Sequence, residues 1–202
     1  MAIIKHGNNA LANITAFPSA VSTGKPVLIS TATASSSASI EFTSGIDSTY
    51  DIYQFKFIDI HPATDGQIFS FQGSTDSGSS YGVTITSTSF ESFHKEDDSE
   101  ANVAYNTAAD LAQSTGEKSL TRQAGNDNDQ SSVGILTLFN PSSTTFVKHF
   151  IGRLNCSRNV DLTQDLFRAG YFNTTSAIDA IRFKFASGNI DAGTIKMYGI
   201  SA

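Results

Sequence analysis

The feature that most constrains this chain is a strict two-residue alternation of apolar and polar side chains, clearest over residues 177–200 (AIDAIRFKFASGNIDAGTIKMYGI). Ile181, Phe183 and Phe185 fall on one face of that pattern and Arg182 and Lys184 on the other. Successive side chains of an extended chain point to opposite faces, so this is how a half-buried antiparallel strand is written. Gly188, Asn189, Asp191 and Gly193 then supply turn chemistry. Residues 194–200 repeat the alternation, with Ile195 and Met197 facing one way and Lys196 and Tyr198 the other. The spacing predicts a hairpin that closes a sheet.

Further segments carry the same signal. In residues 50–61 (YDIYQFKFIDIH), Tyr53, Phe55 and Phe57 share one face, and Ile52, Gln54, Lys56, Ile58 and Ile60 the other; the aromatic face is predicted to point into the core. Residues 26–33, 40–42, 67–72, 83–89, 133–140 and 146–155 read as further strands, with Phe69 and Phe71 inward. The loop between 67–72 and 83–89 suggests that these two strands form an antiparallel pair. Asn140-Pro141-Ser142-Ser143 is a turn in which proline fixes the second φ. Lys148 shares a face with Phe146 and Phe150, which predicts a face passing from core to rim.

Two segments resist this reading. Residues 161–172 are predicted to be a short helix or a loop. Residues 90–129 are rich in Ala, Asp, Asn and Gln, with only a weak helical spacing at Ala101, Ala104, Ala108 and Leu111, and read as an irregular insertion. A structureless stretch of that length is uncommon in a compact domain unless it is functional or packed on a partner. Aromatic residues joined by abundant Ser, Thr, Gly and Asn, in a chain of 202 residues, point to one domain. The expectation is an all-β fold: a single antiparallel β-sandwich of jelly-roll type with about eight to ten strands, spanning residues 25–202.

Residues 1–24 precede the first convincing strand. Ile3, Ile4, Leu11, Ile14 and Phe17 lack an amphipathic period, and a helix over 9–17 would be poorly capped. The segment is predicted to be an N-terminal docking arm that orders against another chain. Together with Phe90, Phe93 and His94 in the irregular region, these residues are the candidate interface. Aromatic side chains on a loop can anchor a partner or stack on a sugar, and can equally tuck under the loop.

Catalytic and metal-binding patterns are weak. Gly78-Ser79-Ser80-Tyr81-Gly82 matches the G-x-S-x-G nucleophile pattern, but that motif needs a following helix, whereas a strand is predicted there. His6, His61, His94 and His149 have no metal-ligand spacing. Asn126-Asp127-Asn128-Asp129 starts like a calcium loop without its glycine and distal glutamate. Glu96, Asp97, Asp98 and Glu100 crowd one polar stretch and read as a charged surface rather than a glycosidase pair. No catalytic residue, cofactor or metal ligand is assigned. Cys156, the single cysteine, excludes an intramolecular disulfide and reads as a buried apolar side chain. A net charge of −6 without a basic run argues against nucleic acid. The lack of a long apolar run argues against membrane insertion, and the product is expected to be soluble.

Several long phrases carry a resemblance: residues 34–66 (ASSSASIEFTSGIDSTYDIYQFKFIDIHPATDG), 125–131 (GNDNDQS), 136–150 (LTLFNPSSTTFVKHF) and 169–200. They closely resemble virion structural proteins of tailed phages, notably those infecting marine cyanobacteria. The resemblance implies a non-enzymatic virion structural protein exposed on the particle surface, either capsid decoration (cement) or a compact tail appendage. It implies other virion proteins of the capsid or tail adaptor as partners, a homo-oligomer with trimer preferred, and location in the virion after synthesis in the host bacterial cytoplasm. The alternatives are a tail-fibre receptor-binding protein that recognises host surface glycan and, further off, a glycan hydrolase on a β-scaffold.

Overall fold

The computed structural model describes residues 25–201, and among these every regular element is a strand. In chain order they are β1 (Val27–Thr33), β2 (Ile40–Phe42), β3 (Ile52–Pro62), β4 (Phe69–Ser74), β5 (Ile85–Lys95), β6 (Ala101–Tyr105), β7 (Leu111–Ser114), β8 (Lys118–Ser119), β9 (Ser132–Phe139), β10 (Lys148–Arg158), β11 (Leu162–Phe172), β12 (Ala180–Phe185) and β13 (Ile190–Ile200). The predicted arm, with Ile3, Ile4, Leu11, Ile14 and Phe17, lies outside the described residues.

The fold is all-β, with two antiparallel sheets. The larger runs β1-β13-β3-β9-β10-β11-β5-β6, with β7 also on β5; the smaller runs β2-β12-β4-β8. Their inner faces meet in an aromatic core. The Phe183 ring of β12 lies 5.3 Å from Phe55 and 5.2 Å from Phe57 of β3, and 6.0 Å from Phe69 of β4. Phe71 of β4 meets Phe150 of β10 edge-on at 5.1 Å. Each such ring is fully buried, contributing about 1.5–3 kcal/mol by burial and up to about 1.5 kcal/mol more for a well-oriented ring pair.

The inward faces expected for Tyr53, Phe55, Phe57, Phe69, Phe71, Ile181, Phe183, Phe185, Ile195 and Met197 are the observed ones. The pairings differ. The predicted closing hairpin does not form: β12 pairs with β2 and β4 in the small sheet, and β13 pairs with β1 and β3 in the large one. Likewise β4 and β5 belong to different sheets. Alternation reports that each strand has one buried face, and two such faces can lie side by side or oppose each other across the core.

Ile60 was expected on the outer face beside Ile58, yet it is fully buried while Ile58 is 40% exposed. The cause is a bulge. Asp59 adopts φ 52° opposite Gly193 at φ 119°, and the pairing of β3 with both β13 and β9 shifts there, which reverses the phase of the strand. A Cβ on Gly193 would sit 2.6 Å from the Asp59 carbonyl, so only glycine fits.

The described residues form thirteen strands, not eight to ten. Residues 161–172, read as a helix or loop, contain β11, which pairs along its full length with both β10 and β5. The supposedly irregular 90–129 region contains the end of β5 and all of β6, β7 and β8. Lys148 faces inward with Phe150 and is fully buried, donating to the Phe146 and Thr174 carbonyls, whereas Phe146 precedes β10 and is 70% exposed.

Candidate functional site

An antiparallel sheet with one packed face usually presents a polar face to water. The outer face of the large sheet departs from this. Across five neighbouring strands the register aligns Ile135 (β9), Arg153 (β10), Phe167 (β11), Phe90 (β5) and Tyr105 (β6) in one outward row. Ile151 and Val103 lie in the adjoining rows and are more than half exposed. Contiguous exposed apolar side chains of this kind mark interaction surfaces.

The row forms a rigid ridge. The Phe90 and Phe167 rings stand parallel, 4.5 Å apart with an interplanar angle of 5°. The Arg153 guanidinium lies 4.8 Å from the Phe167 centroid and is held by Asp165 through Nε (3.1 Å to Oδ1) and Nη2 (2.7 Å to Oδ2). Phe167 thus has one face on Phe90 and the other on Arg153, while Phe90 gives one face to Phe167 and is 45% exposed.

One row further along the same strands, Ile151, Ala169 and Thr88 lie side by side, followed by His149, Tyr171 and Thr86. The small side chains Ala169 and Thr88 leave a shallow apolar hollow of about 510 Å³, walled by Ile151, His149, Tyr171 and Phe139. His149 and Tyr171 meet edge-on at 5.8 Å, so this wall is packed as well. Toward β3 the face turns basic: Lys56 lies 4.9 Å from the ring centre of Tyr198 and is paired in register with Lys196.

The opposite side of these strands holds a buried polar network. Glu91, 5% exposed, accepts from Arg168 Nη2 (3.2 Å), Arg122 Nη1 (3.0 Å) and Asn106 Nδ2 (3.0 Å). Burial raises the Glu91 pKa, but the hydrogen bonds from Asn106, Arg122 and Arg168 outweigh it and hold the carboxyl below its usual range. Lys118, on β8, is fully buried and donates to Ser89 Oγ (2.7 Å) and to the Ala109 carbonyl. Burial, reinforced by nearby Arg168, pushes the Lys118 amine down to about 7.

The structure separates the residues grouped in sequence. Phe90 stands on the outer ridge, Phe93 is half-buried on the inner side, and His94 is exposed near the end of β5, bonded at 3.0 Å to Asp98. All three lie on a strand rather than the expected loop. Ser80 Oγ donates to Asp76 Oδ2 at 2.5 Å, and with Ser74 it holds the Asp76 pKa down to about 2, closing the loop between β4 and β5. Glu96–Glu100 form the exposed turn between β5 and β6. Cys156 is fully buried, its thiol pushed up to about 11 by burial. Among the described residues no group of three or more His, Cys, Asp or Glu side chains converges to hold a metal, and no helix is long and apolar enough to cross a membrane.

Sequence reasoning missed Phe167, Arg153, Ile151, Ala169 and Glu91. A signal existed in 162–172 (LTQDLFRAGYF), where Leu162, Gln164, Leu166 and Arg168 alternate with Thr163, Asp165, Phe167 and Ala169, but with large rings on the solvent side and polar groups inside. No family model, curated protein or solved structure matches the chain.

Proposed function

We propose that this protein is a non-enzymatic structural component of a tailed-phage particle, exposed on the particle surface as capsid decoration or a compact tail appendage, and that its sandwich is a jelly roll. The observation that carries the reading is strand order. With β5–β7 and β10–β11 set aside, eight strands remain, ordered β1-β13-β3-β9 in one sheet and β2-β12-β4-β8 in the other. Renumbered one to eight along the chain, these sheets read 1-8-3-6 and 2-7-4-5, an order that supports the jelly-roll reading, an architecture of two Greek keys used by viral capsid proteins and by lectins. The set-aside strands widen one sheet and build the apolar outer face, a feature suited to docking on other particle subunits. The glycan-recognising alternative draws less support, because stacking on a sugar needs open ring faces, and both faces of Phe167 and one of Phe90 are already taken.

Fold alone does not assign function, so the test is location and copy number. Quantifying the protein against the major capsid protein in purified particles should give a fixed stoichiometry, and labelled antibody should decorate intact particles. High copy number indicates decoration and low copy number a tail appendage. Absence of the protein from purified particles would overturn the proposal, as would glycan cleavage by the isolated chain.

A further inference from the structure

We infer that the outer face of the large sheet is a self-association surface, through which two copies of this chain meet face to face about a two-fold axis. The inference rests on the reading of that face as a docking surface and names its occupant as a second copy. A two-fold contact requires one patch to carry both a projection and the recess that accepts it. Both are present on the same two strands. The ridge is Phe167 on β11 and Phe90 on β5; the floor of the hollow is Ala169 on β11 and Thr88 on β5, each two residues along its strand from the ridge. Two residues of strand separate the rows by about 6.8 Å. A two-fold axis lying in the contact plane between these rows sets each ridge over the other copy's hollow.

The chemistry matches. The Phe90–Phe167 stack suits insertion between apolar walls, and Ile151 and Tyr171 supply them. Charge also favours this face. Two copies of a chain with net charge −6 repel each other. On the ridge Arg153 is neutralised by Asp165 of the same copy, and at its end the Asp110 carboxylate accepts from Tyr105. The size is sufficient: β9, β10, β11 and β5, with β6 and β7 sharing the fifth position, spaced about 4.8 Å by four outward rows spaced about 6.8 Å, cover roughly 650 Å² per copy. Both copies together bury about 1,300 Å², within the range of stable specific interfaces.

The test is the mass of the full chain in solution, by light scattering and sedimentation, up to about 100 μM, a range that detects micromolar association. The wild type should be a concentration-dependent dimer. Ala169→Arg fills the hollow with a charged side chain that points to solvent in the monomer. It should weaken the dimer at least about tenfold, the scale of a central interface residue, with circular dichroism and melting temperature unchanged. Ile151→Glu should act in the same way. A monomeric wild type, or a dimer retained in both folded variants, overturns the inference. If the wild type is monomeric and Ala169→Arg still fails to join particles, self-association is excluded while the docking-face reading stands, with another virion protein as the occupant.

Discussion

The core between the two sheets has two halves built on opposite principles. At one end Phe42, Phe55, Phe57, Phe69 and Phe71 surround Phe183, with ring centroids 5.1–6.4 Å from a neighbouring ring. At the other, under β5, β6 and β11, the inward side chains include Ser89, Glu91, Asn106, Lys118, Gln164 and Arg168. The burial of these rings is non-directional, and a hydrophobic swap that conserves volume retains most of it, ring orientation adding up to about 1.5 kcal/mol. The polar half is all-or-none: an ion pair inside a protein roughly balances its own desolvation, but removing one member leaves a buried charge without compensation. The aromatic half supplies stability, and the polar half makes that stability conditional on every partner being present.

Four measurements sharpen or break this contrast. The largest effect is expected in the aromatic half: Phe183→Ala should cost about 3–5 kcal/mol in urea unfolding, because the cavity opens at the meeting point of five rings. A loss under 1 kcal/mol would show that the rings repack freely and that the core is not centred there.

Glu91→Ala should cost a similar amount, about 3–5 kcal/mol, by stranding Arg168. The discriminating step is the double variant Glu91→Leu with Arg168→Met, which should recover most of that loss. If the double variant is as unstable as the sum of the two single changes, the network acts through shape and not charge, and the contrast fails.

Lys118 gives the comparison a pH axis. Burial pushes its amine down to about 7 in the folded protein, against the ordinary lysine value of 10.5 when unfolded. Between these values the unfolded chain binds one more proton than the folded chain, so stability rises with pH across that window and is insensitive to this group below it. The slope is up to about 1.4 kcal/mol per pH unit. Lys118→Met should flatten the wild-type profile between pH 7 and 10; identical slopes in the two proteins would mean that the amine is not desolvated.

The smallest effect is the control. Lys184 alternates with Phe183 and Phe185 and is partly exposed, so Lys184→Ala should change stability by less than about 0.5 kcal/mol, as solvated surface positions do. A loss comparable to that of Phe183→Ala would reverse the assigned faces of β12.

The two halves also differ in how readable they are. The strands that carry the rings announced themselves, because their aromatic residues recur at the period of an extended chain. The polar half did not. In β11, Gln164 and Arg168 point inward and Phe167 outward, so the pattern is present with its polarity inverted and a rule that places rings inside discards it. In β6, Asn102, Val103, Ala104 and Tyr105 are all exposed, leaving no burial contrast to detect. Phe90 was legible as an unusual aromatic; its stacking partner Phe167, 77 residues away, was not.

What the sequence by itself determined is local: that the aromatic stretches are extended and which of their faces is buried, since both follow from side-chain alternation along one strand. What the tertiary structure decided is everything that needs a second strand. It placed β12 and β13 in different sheets, reversed the phase of β3 at Asp59, and turned the polar side of β5 and β11 inward. The physical reason is that burying Glu91 depends on cations arriving from elsewhere in the chain, Arg122 at a separation of 31 residues and Arg168 at 77. A strand's own pattern contains no record of who will lie across from it.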